Sequence, residues 1–379
     1  MPGFADDLLN KAIIKTLGAV PFRLGDLGEL VTIFGGVIKY LTPLKLSNLA
    51  VRESERLRRA ARPKGFPFHL VIDSVNACNL QCPGCPTGRR QNSGRTKRIM
   101  DIALLDSFLD NIGKYVIIAD LFNWGEPLLH PNIEHIVKML HDRRIFQQIS
   151  TNLNINDPQI LEKVCDAGLD FLIVSISGVT QETYGKYHRK GDIELVVDNL
   201  RKIVNYNKKL KYNYPIIELK YLMFKHNIHQ IEAARILAKE IGVDIFRPCY
   251  AGGPEEEILG LNEEKKKLLY PDTGKLCSQL WRTIVLNSDG GIAPCCFLYF
   301  KQDDFAKYHP SKNRNIQDIM SNQNYVAARR MFNRAAIGTL PEDLQHPCLK
   351  CTFVHRQPHL TAYLAANPNA KQAHRTGGP

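Results

Sequence analysis

Between residues 66 and 247 the chain repeats one unit, a short apolar run followed by a longer amphipathic stretch. The apolar runs cover 68–73, 116–122, 146–150, 171–175, 217–223 and 244–247, and read as strands. Segments 101–114, 132–141, 158–168, 193–207 and 229–241 lie between them and read as helices. Strands that alternate with helices pair in parallel, because each crossover helix returns the chain to the same end of the sheet. Six such units predict an α/β fold, a partial (βα)6 TIM-like barrel. In a barrel of this kind, chemistry sits on the loops at the carboxyl ends of the strands. Three of those loops carry unusual residues here.

Composition narrows the chemistry. The chain has 379 residues, 44% hydrophobic and 23% charged, which excludes disorder along most of its length. Ten cysteines over this length are too sparse for a disulfide scaffold. The opening Met1 to Asp7 lacks the basic start and apolar run of a secretory signal. The longest apolar stretch near it, 30–38, is about half the roughly 20 residues that a membrane span needs. The expectation is a reducing, cytoplasmic compartment, where cysteines serve metal, catalysis or packing.

After the first strand come Cys78, Cys82 and Cys85, spaced C-x3-C-x2-C on a loop bent by Pro83 and Gly84. Three thiolates on one bent loop can converge on an iron–sulfur cluster, and a cube with three protein ligands keeps one iron open for substrate. Zinc, or three unrelated thiols, are the other readings. Closed zinc sites use four ligands, and no fourth Cys or His lies near this loop.

The spacing and its place after the first strand resemble the radical S-adenosylmethionine (radical SAM) superfamily, over roughly residues 66–250. The resemblance implies a 4Fe–4S cluster on Cys78, Cys82 and Cys85, with the amino and carboxylate groups of S-adenosyl-L-methionine on its open iron. It implies reductive cleavage to a 5′-deoxyadenosyl radical that takes hydrogen from substrate, and an electron donor such as flavodoxin or ferredoxin. Asn123-Trp124-Gly125-Glu126-Pro127 is similar to the family's GGEP motif, with Trp124 in place of the first Gly. Gly125 and Glu126 are then SAM contacts. The third strand ends Ser150-Thr151-Asn152, similar to an (S/T)-x-N ending that brings Ser150 and Asn152 toward SAM. The fourth ends Ser175-Ile176-Ser177-Gly178, which adds Ser175 and, where Asp is usual, Ser177. Arg189 matches an Arg that pairs with the SAM carboxylate, a role its fork suits, although a surface base is the plainer reading.

Past Pro271 the alternation stops. Cys277 is followed after twelve residues by Gly290 and after four more by Cys295, and Cys348 and Cys351 are spaced C-x2-C. Four cysteines complete a second cluster or a zinc site. The pattern resembles the SPASM and Twitch auxiliary-cluster domains, in the shortened single-cluster form of the radical SAM dehydrogenase of aminoglycoside cyclitol biosynthesis. That implies an auxiliary 4Fe–4S cluster on Cys277, Cys295, Cys348 and Cys351. Cys296 competes with Cys295, because Gly291 places it at the same distance, but Pro294-Cys295 fits the ligand position better. In sulfatase-maturing relatives an Asp proposed to take a proton follows this ligand. Cys296 stands there as the candidate catalytic residue, as base, hydrogen-atom donor or spare thiol. Cys165 reads as packing and Cys249 as a substrate-side candidate.

These features imply a radical SAM oxidoreductase-like enzyme performing a dehydrogenase-like oxidation. Epimerisation, carbon–carbon joining and peptide maturation are alternatives, and a non-catalytic zinc or metal protein is the alternative of a different class. The substrate is a small molecule, a lipid-linked molecule or a peptide. Lys and Arg outnumber Asp and Glu by 50 to 38, with clusters at 56–59, 89–90, 95–98, 208–209 and 265–267. These form a solvated basic surface or meet an acidic partner. No nucleic-acid-binding motif accompanies them, so no specific nucleic-acid partner is expected.

Residues 1–62 read as a helical extension. Asp26 would cap a helix with the stripe Leu27, Leu30, Val31, Phe34, Val37, Ile38 and Leu41, and Thr42-Pro43 would start another. Such a stripe followed by bases packs on its own protein or docks on a membrane surface. The expected organisation is this extension, the barrel at 66–250, a small C-terminal iron–sulfur domain at 272–360 and a flexible tail at 367–379.

Overall fold

The computed structural model describes residues 35–210, 214–250, 276–311, 315–351, 354 and 357–370. The expected Asp26 cap, the stripe from Leu27 to Phe34, the connection 251–275 and the tail from 371 lie outside them. The strands are β1 His69–Asp73, β2 Ile118–Asp120, β3 Phe146–Thr151, β4 Phe171–Ile176, β5 Ile216–Met223 and β6 Ile245–Tyr250. They lie side by side in chain order, all parallel. The helices of this part are α1 Pro43–Leu57, α2 Ile102–Ile112, α3 Ile133–Asp142, α4 Gln159–Asp166, α5 Gln181–Tyr187, α6 Ile193–Asn207 and α7 Ile231–Ile241. The seven-residue α5 has no counterpart among the sequence-based segments. It is too short to write an apolar stripe and rests on its cap, where Thr180 Oγ1 accepts from the Thr183 N–H.

Alternation along the strands separates two cores. Leu70, Ile72, Ala119, Ile149, Leu172, Val174, Ile217 and Leu219 share the large core with residues of the helices. On the opposite, lumen-facing side the strand starts are apolar: Phe68, Ile118, Phe146, Phe171, Ile216 and Ile245 cluster with Val37, Tyr40 and Leu49. The last three come from α1 and the segment before it, so the extension plugs the amino end of the barrel. Thr42 caps α1 and Pro43 occupies its first turn, as the sequence suggested. One side of α1 stays open, with Leu44, Val51 and Leu57 exposed. No helix among the described residues is long and apolar enough to cross a membrane.

The sheet continues past the sixth unit. After the short α8 Gln279–Arg282, β7 Thr283–Asn287 pairs in parallel with β1. The antiparallel β8 Gly291–Ala293 and β9 Ala306–Lys307 extend it further. The order is β6-β5-β4-β3-β2-β1-β7-β8-β9, so the C-terminal cysteines ride on an extension of the barrel sheet. The alternation could not show this, because β7 is followed by a tight turn and not by a crossover helix. Gly290 makes that turn at φ +86°, and a Cβ there would come 2.9 Å from the Tyr308 carbonyl oxygen.

Candidate active site

The loop after β1 folds as a series of tight turns. The Cys85 N–H donates to the Cys82 carbonyl (3.1 Å) and the Arg89 N–H to that of Cys85 (2.9 Å). Gly88 permits this, since a Cβ would stand 2.5 Å from the Cys82 carbonyl oxygen. Donors converge on the first sulfur: the Leu80 N–H at 3.4 Å and Asn152 Nδ2 at 3.6 Å reach Cys78 Sγ. Burial pushes the Cys78 thiol up to about 11, and nearby Glu126 and Cys85 add to the rise. Burial pushes Cys82 up to about 12, with Cys78 and Cys85 adding and Arg189 opposing. The three thiols therefore lie within electrostatic reach of one another. A shared iron–sulfur body, which binds thiolates, relieves the strain of holding them together.

The loop after β2 docks on this one. A Cβ on Gly125 would come 1.5 Å from the Val75 carbonyl oxygen, so only glycine allows the approach. The Glu126 N–H donates to the Ala77 carbonyl at 2.9 Å. The Glu126 carboxylate is buried and accepts from Thr151 Oγ1 (2.7 Å), the Asn152 N–H (2.8 Å) and the Leu128 N–H (3.1 Å). Its pKa rises to about 7, because burial outweighs these donors. Asn152 in turn donates to Asn79 Oδ1 at 3.0 Å. Glu126, Asn152 and Cys78 thus form one connected group. Thr151 and Asn79 belong to it as well, though sequence reasoning passed over them. Trp124, the residue that departs from the motif, meets Tyr299 of the C-terminal part edge-on at 5.4 Å.

The remaining expected cofactor contacts divide. Ser150 and Ser175 are half-buried at the ends of β3 and β4, and neither hydroxyl meets a hydrogen-bond partner among the described residues. Ser177 is fully buried and occupied elsewhere: it donates to the Tyr184 carbonyl (3.2 Å) and meets His188 Nδ1 (2.6 Å). Arg189 is exposed, and its carbonyl accepts from the Gln81 N–H (3.0 Å) in the cysteine loop.

Cys277, Cys295, Cys348 and Cys351 come from three separate segments and lie within electrostatic reach of one another. Burial raises Cys348 well above the ordinary thiol range, with Cys295, Cys277 and Cys351 adding to the rise. Cys295 rises in the same way, burial first, then Cys296, Cys277 and Cys351. Cys296 lies within electrostatic reach of Cys295 and Cys277 and also of the barrel. After burial, the charge that raises its pKa to about 11 is Asp120, on β2. Among the described residues no group of three or more His, Cys, Asp or Glu is spaced to hold a single metal ion. Ligands of a four-iron cube surround a larger body than one ion.

Between the two cysteine groups the lumen face turns polar. Thr283 Oγ1 meets His69 Nδ1 (3.2 Å), and His69 Nε2 meets Asp120 Oδ2 (2.8 Å). Gln148 donates to the other Asp120 oxygen, and across the lumen Arg247 pairs with Glu218 (2.9 Å). Sequence reading missed this belt. Its one signal was polar residues at alternate positions inside apolar runs. A second polar group fastens the parts together. Arg95, with a fully buried side chain, binds Asp304 through two nitrogens (2.8 and 2.9 Å) and Asp289 (3.0 Å).

These features, a three-cysteine loop at the carboxyl end of a six-stranded parallel barrel and a four-cysteine group on the sheet's extension, define an iron–sulfur enzyme class. Residues 72–242 match the radical SAM superfamily, and residues 277–352 match the SPASM iron–sulfur cluster-binding domain. The chain therefore carries a radical SAM superfamily domain followed by a SPASM domain, whose cofactors are S-adenosylmethionine, a 4Fe–4S cluster and auxiliary iron–sulfur binding at the C-terminal side. It is 31% identical over 138 residues to a probable GTP 3′,8-cyclase of Methanocaldococcus jannaschii, covering 36% of this chain and 45% of that protein. It is 25% identical to the Fe-coproporphyrin III synthase of Methanosarcina barkeri, over 72% of this chain and 69% of that one. The first three curated relatives are matched over 45%, 56% and 49% of their own lengths. Among solved structures, Streptococcus suis SuiB bound to its precursor peptide SuiA is similar in fold, with a TM-score of 0.56 at 15% identity. That match covers 82% of this chain and 75% of SuiB.

Proposed function

We propose that the chain performs a dehydrogenase-like, two-electron oxidation. Cys78, Cys82 and Cys85 hold the SAM-binding cluster, and Cys277, Cys295, Cys348 and Cys351 close an auxiliary 4Fe–4S cluster. When bound, these groups supply a radical that takes a hydrogen atom from substrate and an acceptor for the electron left behind. The observation that supports this reading is that four buried cysteines from three segments lie within electrostatic reach of one another. With every iron corner taken by protein, the second cluster suits electron transfer better than substrate binding.

The chain's own residues position and exclude. Glu126 ties the β2 loop to β3 and keeps Asn152 against Cys78. Ser150 and Ser175, whose hydroxyls have no partner among the described residues, and Arg189, within electrostatic reach of Cys82, are assigned to SAM. Cys296, within electrostatic reach of Asp120, is the residue assigned to exchange a proton or hydrogen atom with substrate. The apolar plug under the polar belt closes the lumen to water from below. A peptide substrate is the second reading, favoured by the peptide bound in the similarly folded SuiB. Anaerobic turnover tests the proposal: deoxyadenosine should form in step with a product two electrons more oxidised than the substrate. A product at the substrate's oxidation level, with deuterium taken up from heavy water, would refute it in favour of epimerisation.

A further inference from the structure

Alternation along β4, β5 and β6 sorts their residues onto two faces. Leu172, Val174, Leu219 and Tyr221 pack with the helices, whereas Ile173, Ile216 and Ile245 belong to the lumen cluster. Ser175, Lys220 and Arg247 therefore stand on the lumen face above that cluster. The register sets them side by side, Ser175 against Lys220 and Lys220 against Arg247. All three are half-buried, while Val174, Leu219 and Tyr221 beside them are buried, so the row borders accessible space. Two cations in adjacent register repel each other. Arg247 is balanced, since its Nε donates to Glu218 Oε2 at 2.9 Å. Lys220 is not: among the described residues no carboxylate pairs with it.

The other side of the lumen has the opposite preference. There Asp120 is held by His69 and Gln148, and Gln148 Oε1 is buried with no hydrogen-bond partner among the described residues. A carboxylate and an acceptor oxygen repel an anion, which leaves β5 and β6 as the side that attracts one. We infer that Lys220, beside the Arg247–Glu218 pair, seats an oxyanion of the substrate, a carboxylate or a phosphate ester. The substrate class is then anionic. The inference rests on the proposed reading of the lumen as the place where substrate is oxidised. The carboxylate of SAM is a poorer occupant. Asn152, which meets Cys78, follows β3, and Lys220 lies two strands further along the sheet, about 10 Å at the usual strand spacing.

The test uses the cluster-reconstituted chain with SAM bound. Lysine acetylation, read by peptide mass spectrometry, should slow at Lys220 when inorganic phosphate or malonate replaces chloride at equal ionic strength. Exposed Lys138 should react at the same rate throughout. The anion that protects more strongly tells a phosphate seat from a carboxylate seat. Titration calorimetry with that anion should show saturable binding that K220M weakens about tenfold or more and K220R restores. SAM affinity and iron content should be equal in the three proteins. Unchanged labelling of Lys220 under both anions overturns the inference, and that measurement needs no variant to fold. So does anion binding that survives in K220M. Protection of Lys220 by SAM without added anion, or a matching loss of SAM affinity in K220M, overturns it in favour of SAM as the occupant. A product at the substrate's oxidation level would strike the proposed oxidation, while labelling and calorimetry, which need no turnover, would still decide the anion seat.

Discussion

Replacing Arg95 with methionine removes the guanidinium that Asp304 and Asp289 share. The side chains are 0%, 8% and 2% exposed, and three contacts of 2.8 to 3.0 Å join them. Removing one partner of a buried ion pair strands the other charge away from water, at a cost of about 3–5 kcal/mol. That is a large share of the roughly 5–15 kcal/mol by which folded proteins are stable. Lysine retains the charge but not the fork, so R95K should lose less. Burial already raises the Asp304 pKa and Arg95 opposes that rise. Without Arg95 the folded-state pKa stands further above the unfolded value, so the folded state binds more protons than the unfolded one. Stability of the variant should then increase as pH falls from neutral toward 5, and the deficit should shrink. Anaerobic urea unfolding at two pH values reads both effects. A loss below about 1 kcal/mol, of the size found for exposed pairs, would refute the reasoning.

In G125A the new Cβ cannot coexist with the Val75 carbonyl, so the two loops must separate. A displacement of that size should lower SAM cleavage about 100-fold, measured as deoxyadenosine released, with the C-terminal cluster retained. C295A should lower the iron content from about eight to about four per chain, whereas C296A should leave it near eight, by anaerobic iron analysis. Burial lowers the His188 pKa to about 3, so folding selects the neutral imidazole. The associated stability is complete above the unfolded value near 6.5, and about 2 kcal/mol of it is lost between there and pH 5. Acid unfolding of H188N should lack that slope.

The barrel was legible because its signals are local. Each strand and crossover helix announces itself within a dozen residues. The Cys78, Cys82 and Cys85 spacing and the Gly125-Glu126-Pro127 run are likewise short stretches whose chemistry does not depend on distant partners. The polar belt was not legible. A histidine at 69, an aspartate at 120 and a glutamine at 148 are isolated exceptions in three apolar runs. Only the register of β1, β2 and β3 sets them side by side. Ser177 was selected by its place in a strand-end pattern, whereas its hydroxyl is buried against Tyr184 and His188. Pattern gives position along a strand, and packing decides what the side chain meets.

By itself the sequence determined the class of chemistry: an alternation that implies a parallel sheet with crossover helices, and cysteine spacings that suit iron–sulfur clusters. Tertiary structure decided which groups share a site. It brought Cys277, Cys295, Cys348 and Cys351 within electrostatic reach of one another, and Cys296 within reach of Asp120. It carried β7 back to β1 and closed Arg95 on Asp304 across 209 residues of chain. The physical reason is range. Backbone preference and periodicity act over a turn or a strand, while ion pairs and cluster ligands require separate segments to arrive within a few ångströms of one another, which only the folded chain arranges.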